Sequence, residues 1–413
     1  MERIIIHSDM NSCYASIECS LNPELKGKPM VVGGNEASRH GIILAKSEEA
    51  KKYGVKTGEP LWQARQKCSG LIVVEPHHDI YKEYSRKAHE IYARYTDMIE
   101  PMGLDEVWCD LTGSITLFGS AHNIIREIKE SFKRELDITV SIGLSYNKVF
   151  AKLGSDLAEK DDFFEITRDN FKEKVWKLPA AALFGVGRKS AGQLASYGIT
   201  TIGELAGCSQ EWLKSLFGVI GSEMWLSANG LNRDRVTPDN YNTKSKSIGH
   251  GVTCKEDLDN NEEVWKVFLS LSQNIAKRLR YESLWATGVQ IGIRDSRFAS
   301  KQFQCQLENA TQSAFEIALT ATELFKANYG WERKVRALTV RAINLSEVGS
   351  FNQIDFYTDY ARLDRQKSID DTVMKLRDKF GDSIIFNCCL MDEEKMPVFS
   401  NEEKAPAAFK AFK

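Results

Sequence analysis

Three acidic residues in this chain have the type and setting for chemistry. The apolar run of "IIIHSDMNSCYASIE" (4–18) stops at Asp9, and "GLDEVWCD" (103–110) carries the adjacent pair Asp105 and Glu106. Oxygen-only ligands select a hard cation, Mg²⁺ or Mn²⁺. Two such ions about 3.5–4 Å apart stabilise both the attacking and the leaving oxygen of a phosphoryl displacement. Three carboxylates gathered without a cation would repel one another. The competing reading is plainer: Asp is a favoured N-cap, and Asp9 precedes a stretch free of Pro and Gly. Spacing alone leaves both readings open.

The elements that must position these residues are readable from periodicity. "ERIIIHS" has the β-branched run of a strand, and "DIYKEYSRKAHEIYARYTDMI" repeats its apolar residues at three and four, as a helix does. "IEPMGLDEVWCDLTGS" reads as two short strands around a turn at Gly103, "SAHNIIREIKESFKREL" as a helix and "ITVSIGLS" as a strand. The order β-α-β-β-α-β predicts a four-stranded antiparallel sheet backed by helices, its first and third strands central neighbours. Asp9, Asp105 and Glu106 then share one end of it. Adjacent strand residues face opposite sides, so Asp105 and Glu106 act together only if Asp105 lies in the turn, which Gly103 permits.

"LFGVGRKSAGQLASYGITTIGELAG" (183–207) has a helix–hairpin–helix pattern, in which Gly185 and Gly187 leave backbone N–H groups bare for a phosphate. "NRDRVTPDNYNTKSKS" (232–247) has linker composition, and the segment after it repeats β-α-β-β-α-β in topology but not in sequence. Near the end, "SIDDTVMKLRDKFG" reads as a helix, "SIIFN" as a short strand and "EEKAPAAFKAFK" as disorder. The fold class is therefore α+β, in several domains, as 413 residues require. Net charge is −2, yet residues 241–345 hold 15 Lys and Arg against 11 Asp and Glu, and residues 346–413 hold 10 against 13. A locally basic segment is what phosphate contacts need. Nine cysteines without CxxC spacing argue for reduced thiols, and no apolar run reaches membrane-span length, so a cytoplasmic protein without signal peptide is expected.

"DMNSCYASIE", "LNPELKGKPMVVGG", "GVKTGEPLWQA", "GLDEVWCD", "SIGLSYNKVFAKLGSDLA" and "KSIGHGVT" occur in the order and spacing of Y-family translesion DNA polymerases, and the chain resembles the DNA polymerase IV (DinB/UmuC) branch over about residues 1–345. The resemblance implies a right hand: palm at 1–12 and 78–166, fingers at 13–77, helix–hairpin–helix thumb at 167–232, linker at 233–245, βαββαβ little finger at 246–345 and a tail at 346–413. It implies template-directed, low-fidelity DNA synthesis from dNTPs without proofreading, with two Mg²⁺ (or Mn²⁺) held by Asp9, the Met10 carbonyl, Asp105 and Glu106. Tyr14 matches the aromatic steric gate against ribonucleotides, and Ser12, Cys13 and Tyr14 would cradle the triphosphate with Lys51 and Lys160. Gly34, Ile42 and Leu44 would form the lid over the nascent base pair. Gly185, Gly187, Lys189, Lys246 and Ser247 would meet primer-template DNA.

Three positions depart from the family. Glu48 and Lys51 stand where Tyr and Arg usually contact the triphosphate, and Glu159 stands at a usual lysine, with Lys160 beside it. Lys51 offers a point charge rather than a bidentate fork. Gln353, Ile354, Phe356 and Tyr357 in "NQIDFYTD" resemble a sliding-clamp motif, which makes the clamp an expected partner of a monomeric enzyme. Two rival classes are weighed against a polymerase. A nucleotidyl cyclase shares the palm topology but has no use for the hairpin and basic modules. A catalytically idle DNA-binding scaffold is made thinkable by Glu48 and Glu159.

Overall fold

The computed structural model describes residues 2–34, 41–239, 245–347, 359–381, 384, 385, 387–390 and 395. The clamp-like residues Gln353 to Tyr357 and the final "EEKAPAAFKAFK" stretch lie outside the described residues. The chain divides into two compact units, one built from residues 2–34 and 42–239, the other from residue 245 onward.

In the first unit, β1 (Ile5–Met10) leads into α1 (Cys13–Leu21). A small three-stranded sheet follows, made of β2 (Met30–Gly33), β3 (Ile43–Lys46) and β4 (Ile72–Val74), with α2 (Glu48–Lys52) and α3 (Leu61–Lys67) inserted. The chain returns through α4 (His78–Tyr92), β5 (Ile99–Met102), β6 (Glu106–Asp110), α5 (Ile115–Phe118), α6 (Ala121–Leu136), β7 (Val140–Ser145), α7 (Lys148–Leu157) and β8 (Phe163–Ile166). The main sheet has five strands, not the four expected, in the order β5-β6-β1-β7-β8. The extra strand β8 is only four residues long and pairs parallel to β7 after the α7 crossover, a pairing that leaves no period-2 signal in so short a run. β1 lies between β6 and β7, antiparallel to both.

Burial on both faces of β1 explains its apolar run. Ile6 and Met10 join the core under α4 and α6, while Ile5 packs with Trp108, Ala151 and Val236 on the other face. Val236 belongs to the polar stretch read as linker. Residues 232–239 instead strap the first unit: Thr237 N–H donates to Glu100 Oε2 (2.9 Å) and Asp239 N–H to the Asp97 carbonyl (3.0 Å). A single buried valine and backbone donors anchor the segment, features that composition does not register. α8 (Phe171–Val175), α9 (Arg188–Ser196), α10 (Ile202–Ala206), α11 (Gln210–Phe217) and α12 (Val219–Ala228) form a helical module with its own core around Leu194, Ile202 and Leu213.

The second unit is the repeated β-α-β-β-α-β: β9 (Ser247–Leu258), α13 (Asn261–Tyr281), β10 (Leu284–Asp295), β11 (Ser300–Thr311), α14 (Ala314–Asn328) and β12 (Val335–Glu347). Its strands pair antiparallel in the order β11-β10-β12-β9. Alternation puts Val289, Ile291, Leu338 and Val340 under the two helices and leaves Gln290, Arg294, Gln302, Gln304 and Arg341 on the other face. The helix read near the C-terminus is present as α15 (Tyr360–Phe380), held to α13 by Arg280–Asp370 (3.2 Å) and by Tyr281 Oη donating to Asp378 (2.6 Å). Ile384 and Ile385, expected in a strand, are in a bend.

Candidate active site

Period 2 along β1 sends Ile5, His7 and Asp9 toward α7 and Ile6, Ser8 and Met10 toward α4. Ser8 Oγ accepts from Tyr92 Oη on α4 (2.8 Å), and His7 Nδ1 meets Ser155 Oγ on α7 (2.7 Å). In the β1–β6 register Glu106 stands directly across from Asp9 and Trp108 across from His7. Asp105 lies in the turn before β6, where Gly103 adopts φ +80°, and its carbonyl accepts from Met10 N–H (3.0 Å). The turn thus sets Asp105 beside Glu106 without requiring two neighbouring strand residues to face one way.

The second face of β1 carries charge because α7 comes close. A Cβ on Gly143 of β7 would lie 1.8 Å from the Ala151 carbonyl oxygen, and one on Gly154 would lie 2.9 Å from the Gly143 Cα. Helix and strand touch through these two glycines, which brings Lys152 and Ser155 down onto the sheet. Lys152 Nζ, largely buried, donates to Glu106 Oε2 at 2.7 Å and lies 3.6 Å from Asp156; His7 Nε2 lies 3.3 Å from the same Glu106 oxygen.

The electrostatics separate the three carboxyls. Burial, then Glu106 and Asp105, push the Asp9 carboxyl up to about 7. Asp105 is raised by burial and by Glu106. Burial also pushes Glu106 upward, but His7 beside it and the hydrogen bond from Lys152 outweigh it and hold the group below the usual glutamate range. Burial lowers His7, and the Glu106 hydrogen bond raises Lys152 against the cost of its burial.

Among the described residues no three such side chains close on a single point at ligand spacing. The carboxylates share one end of the sheet, but Glu106 turns to Lys152, which serves as its counter-charge. The carboxylate oxygens of Asp9, Asp105 and Glu106 still suit a hard divalent cation, and Asp9 resists ionisation until a positive charge offsets its neighbours.

Tyr14, on the first turn of α1, stacks on Tyr81 of α4 (ring centroids 4.2 Å, planes 13° apart). Tyr81 Oη donates to Glu18 Oε1 (2.5 Å), which also meets His77 Nδ1 (2.8 Å). Glu18 is only 5% exposed and lies on the same helix as Tyr14, so the ring's backing is tied to its own helix. Burial pushes the Tyr14 hydroxyl up to about 12, so it stays protonated. Ser12 precedes α1 in the left-handed region (φ 51°), with no side-chain cap on the helix. Its hydroxyl donates to Glu48 Oε1 (3.3 Å), and Lys51 Nζ lies 3.8 Å from Glu48. The departures at Glu48 and Lys51 therefore gather beside Ser12, whereas Glu159 lies exposed just beyond α7.

Of the remaining expected residues, Lys160 is exposed just beyond α7. Gly34 N–H donates to the Ile42 carbonyl (3.4 Å), and the Ile42 and Leu44 side chains are exposed. Gly185 (φ +90°) and Gly187 sit in the turn before α9, with Lys189 exposed in its first turn. Lys246 and Ser247 are exposed at the start of β9 in the second unit. His7, Lys152, Glu18 and Tyr81 were not singled out from the sequence. Lys152 reads there as a lysine on an amphipathic helix, and only the Gly143–Gly154 contact makes it buried.

A sheet whose central strand ends in a carboxylate, faced by an Asp–Glu pair and neighboured by a helix N-terminus and a backed tyrosine, has the layout of a polymerase palm. Comparison with known proteins agrees. Residues 8–156 match the impB/mucB/samB family and residues 245–356 the impB/mucB/samB family C-terminal domain. The chain is 43% identical over 381 residues to a protein named DNA polymerase IV from Acetivibrio thermocellus, covering 92% of this chain and 96% of that one. It is 35% identical over 401 residues to the DNA polymerase IV of Clostridium acetobutylicum, covering 96% and 100%. Its fold is similar to that of a Y-family DNA polymerase chimera, Dbh-Dpo4(243-245)-Dbh, with a TM-score of 0.73, 23% identity, and coverage of 83% of this chain and 99% of that one. The chain belongs to the impB/mucB/samB family of Y-family polymerases, in the branch of the DNA polymerases IV.

Proposed function

We propose that this chain is a DNA-directed DNA polymerase that extends a primer across damaged template, joining its 3′-hydroxyl to the α-phosphate of a paired dNTP. The reading rests on one observation above the others: Asp9 and Glu106 face each other in register, Asp105 adjoins them from the turn, and Asp9 is pushed up to about 7 by burial and by the other two carboxylates. Bound at Asp9, the Met10 carbonyl, Asp105 and Glu106, a pair of Mg²⁺ or Mn²⁺ ions would supply Lewis-acid activation of the hydroxyl and neutralise the departing pyrophosphate.

The remaining work falls to the chain itself. Lys152 keeps Glu106 ionised and oriented while the site waits for substrate. Backbone N–H groups of Ser12 to Tyr14 at the start of α1 hold the triphosphate, helped by Lys51 and Lys160. Glu48, which engages Ser12, opposes that anion and tunes its affinity down. The Tyr14 ring, backed by Tyr81, leaves no room for a 2′-hydroxyl. The turn at Gly185 and Gly187 with Lys189, and the start of β9 at Lys246 and Ser247, meet DNA phosphates without reading sequence. Gly34 and the exposed Ile42 and Leu44 cover the nascent pair. A clamp contact through Gln353, Ile354, Phe356 and Tyr357 would raise the local concentration of an enzyme of low processivity that, in this reading, does not proofread.

Primer extension with Mg²⁺ tests this. The native chain extends; Asp105→Asn Glu106→Gln loses on the order of 10³-fold in rate or more while still folded; Tyr14→Ala admits ribonucleotides. A folded native chain that binds primer-template yet never extends it would leave the idle scaffold as the function.

A further inference from the structure

The register of the first unit pairs Ile5 with Asp110, at the end of the sheet opposite Asp9. Six residue steps of extended chain from Arg3 to Asp9, at about 3.3 Å each, put roughly 20 Å between them. There, an open cleft of about 940 Å³ lies against Arg3, Arg168, Arg233 and Arg235. Four guanidiniums face two carboxylates, Glu2 and Asp110, and neither carboxylate is available to most of them. Glu2 is engaged by Arg168 Nε (2.6 Å), and Asp110 Oδ1 accepts from the Thr112 amide and hydroxyl (2.9 and 2.5 Å). Arg3 Nη1 donates only to the Asp234 carbonyl (2.6 Å). Among the described residues no carboxylate lies within ion-pair distance of Arg3, Arg233 or Arg235.

We infer that this cleft is a second binding site, for a small ligand carrying a phosphate chain, such as a nucleoside di- or triphosphate. Its volume is that of a small-molecule site, and its concave walls suit a compact ligand better than a duplex. Guanidinium forks match successive phosphate oxygens bidentately, and three of them here lack an anionic partner. Met98 and Leu231 add apolar surface on which a base can rest, and Tyr146 is already covered by Arg168, 4.2 Å from its ring. The side chains of Arg233 and Arg235 are exposed and take no part in the catalytic site, so they can be changed without disturbing it.

Calorimetric titration of the full chain in EDTA, with ATP, ADP, inorganic tripolyphosphate and a single-stranded dT oligomer as separate probes, tests the site apart from the catalytic carboxylates. One equivalent of ATP is expected to bind without divalent cation, at least tenfold more weakly in Arg233→Gln Arg235→Gln, and unchanged in Tyr14→Ala. Arg233→Lys Arg235→Lys, which keeps charge and loses the fork, should fall between. Equal affinity for tripolyphosphate and ATP would assign recognition to the phosphates alone; tighter ATP would add the base; either supports the site. Unaltered melting and primer extension in the Gln variant exclude misfolding. No binding in EDTA, equal affinity in both Arg variants and native chain, or binding of the oligomer alone would overturn the inference.

Discussion

Asp9 and Asp295 each end an inner strand of a mixed helix–sheet unit, and their chemistry points in opposite directions. Asp9 closes β1 among Glu106, Asp105 and apolar cover, and is pushed up to about 7. Asp295 closes β10 with Oδ1 accepting from the Arg297 and Ala299 amides (2.8 and 2.9 Å) and Oδ2 meeting Arg333 (3.0 Å). Burial alone would raise it, but Arg333 and the two amides outweigh that and hold it below the usual range. The same side chain on similar topology is a poised ligand in one unit and a satisfied loop anchor in the other. What differs is the company each keeps: Glu106 and Asp105 crowd Asp9 on a face that α7 covers with charge, whereas Asp295 has Arg333 and two loop amides.

The sharpest way to break this contrast is to push α7 off. Gly143→Ala places a methyl within 1.8 Å of a carbonyl oxygen and should cost more than about 3 kcal/mol, the upper end of overpacking, with activity lost as Lys152 leaves Glu106. Gly292→Ala, on the open face of the other sheet, meets only Thr339 side-chain atoms, the nearest at 3.3 Å, and should stay within about 1 kcal/mol of the native chain. Urea unfolding of the two variants reads the difference; equal costs would mean the close approach of α7 is not what sets the first sheet apart.

A smaller effect follows from removing the counter-charge. Lys152→Gln leaves Glu106 without its ammonium partner in a largely buried position, and stability in EDTA should fall by about 1–3 kcal/mol. Added Mg²⁺ should recover part of that loss, because a cation takes over the role of Lys152. A urea midpoint that ignores Mg²⁺ in the variant would argue against the pairing as the reason Glu106 turns away.

Much of this contrast is legible in the sequence, and the rest is hidden for physical reasons. An apolar run ending at Asp9, and a glycine two residues before Asp105, announce the carboxylates because strand period and turn chemistry are local. The second βαββαβ unit shows for the same reason, its strands being 12 or 13 residues long. Lys152, His7 and the Glu18–Tyr81 pair are not local facts. Each becomes functional through a contact between elements far apart in the chain, and nothing in "KVFAKLGSDL" distinguishes a lysine facing water from one facing Glu106. The strap at 232–239 escapes for a similar reason: polar composition predicts solvent, and only Val236 and backbone donors tie it down.

The finest test sets the two aspartates against each other. For Asp9 the folded value, about 7, lies above the ordinary 3.8. Between those pH values the unfolded chain has released a proton that the folded chain retains, so metal-free stability falls as pH rises through the window. Asp9→Asn removes that fall and should melt higher than the native chain at pH 8 in EDTA, the gap closing toward pH 4. Asp295 runs the other way: its folded value is depressed, so its contribution is present above the ordinary carboxylate range and lost as pH drops below it. Asp295→Asn should therefore melt lower than the native chain at pH 8, the gap closing in acid. Scanning calorimetry at a series of pH values measures both. If the two substitutions shift melting in the same direction at pH 8, the two aspartates are not opposites, and neighbouring carboxylates on one side against Arg333 and loop amides on the other do not decide what a carboxylate becomes.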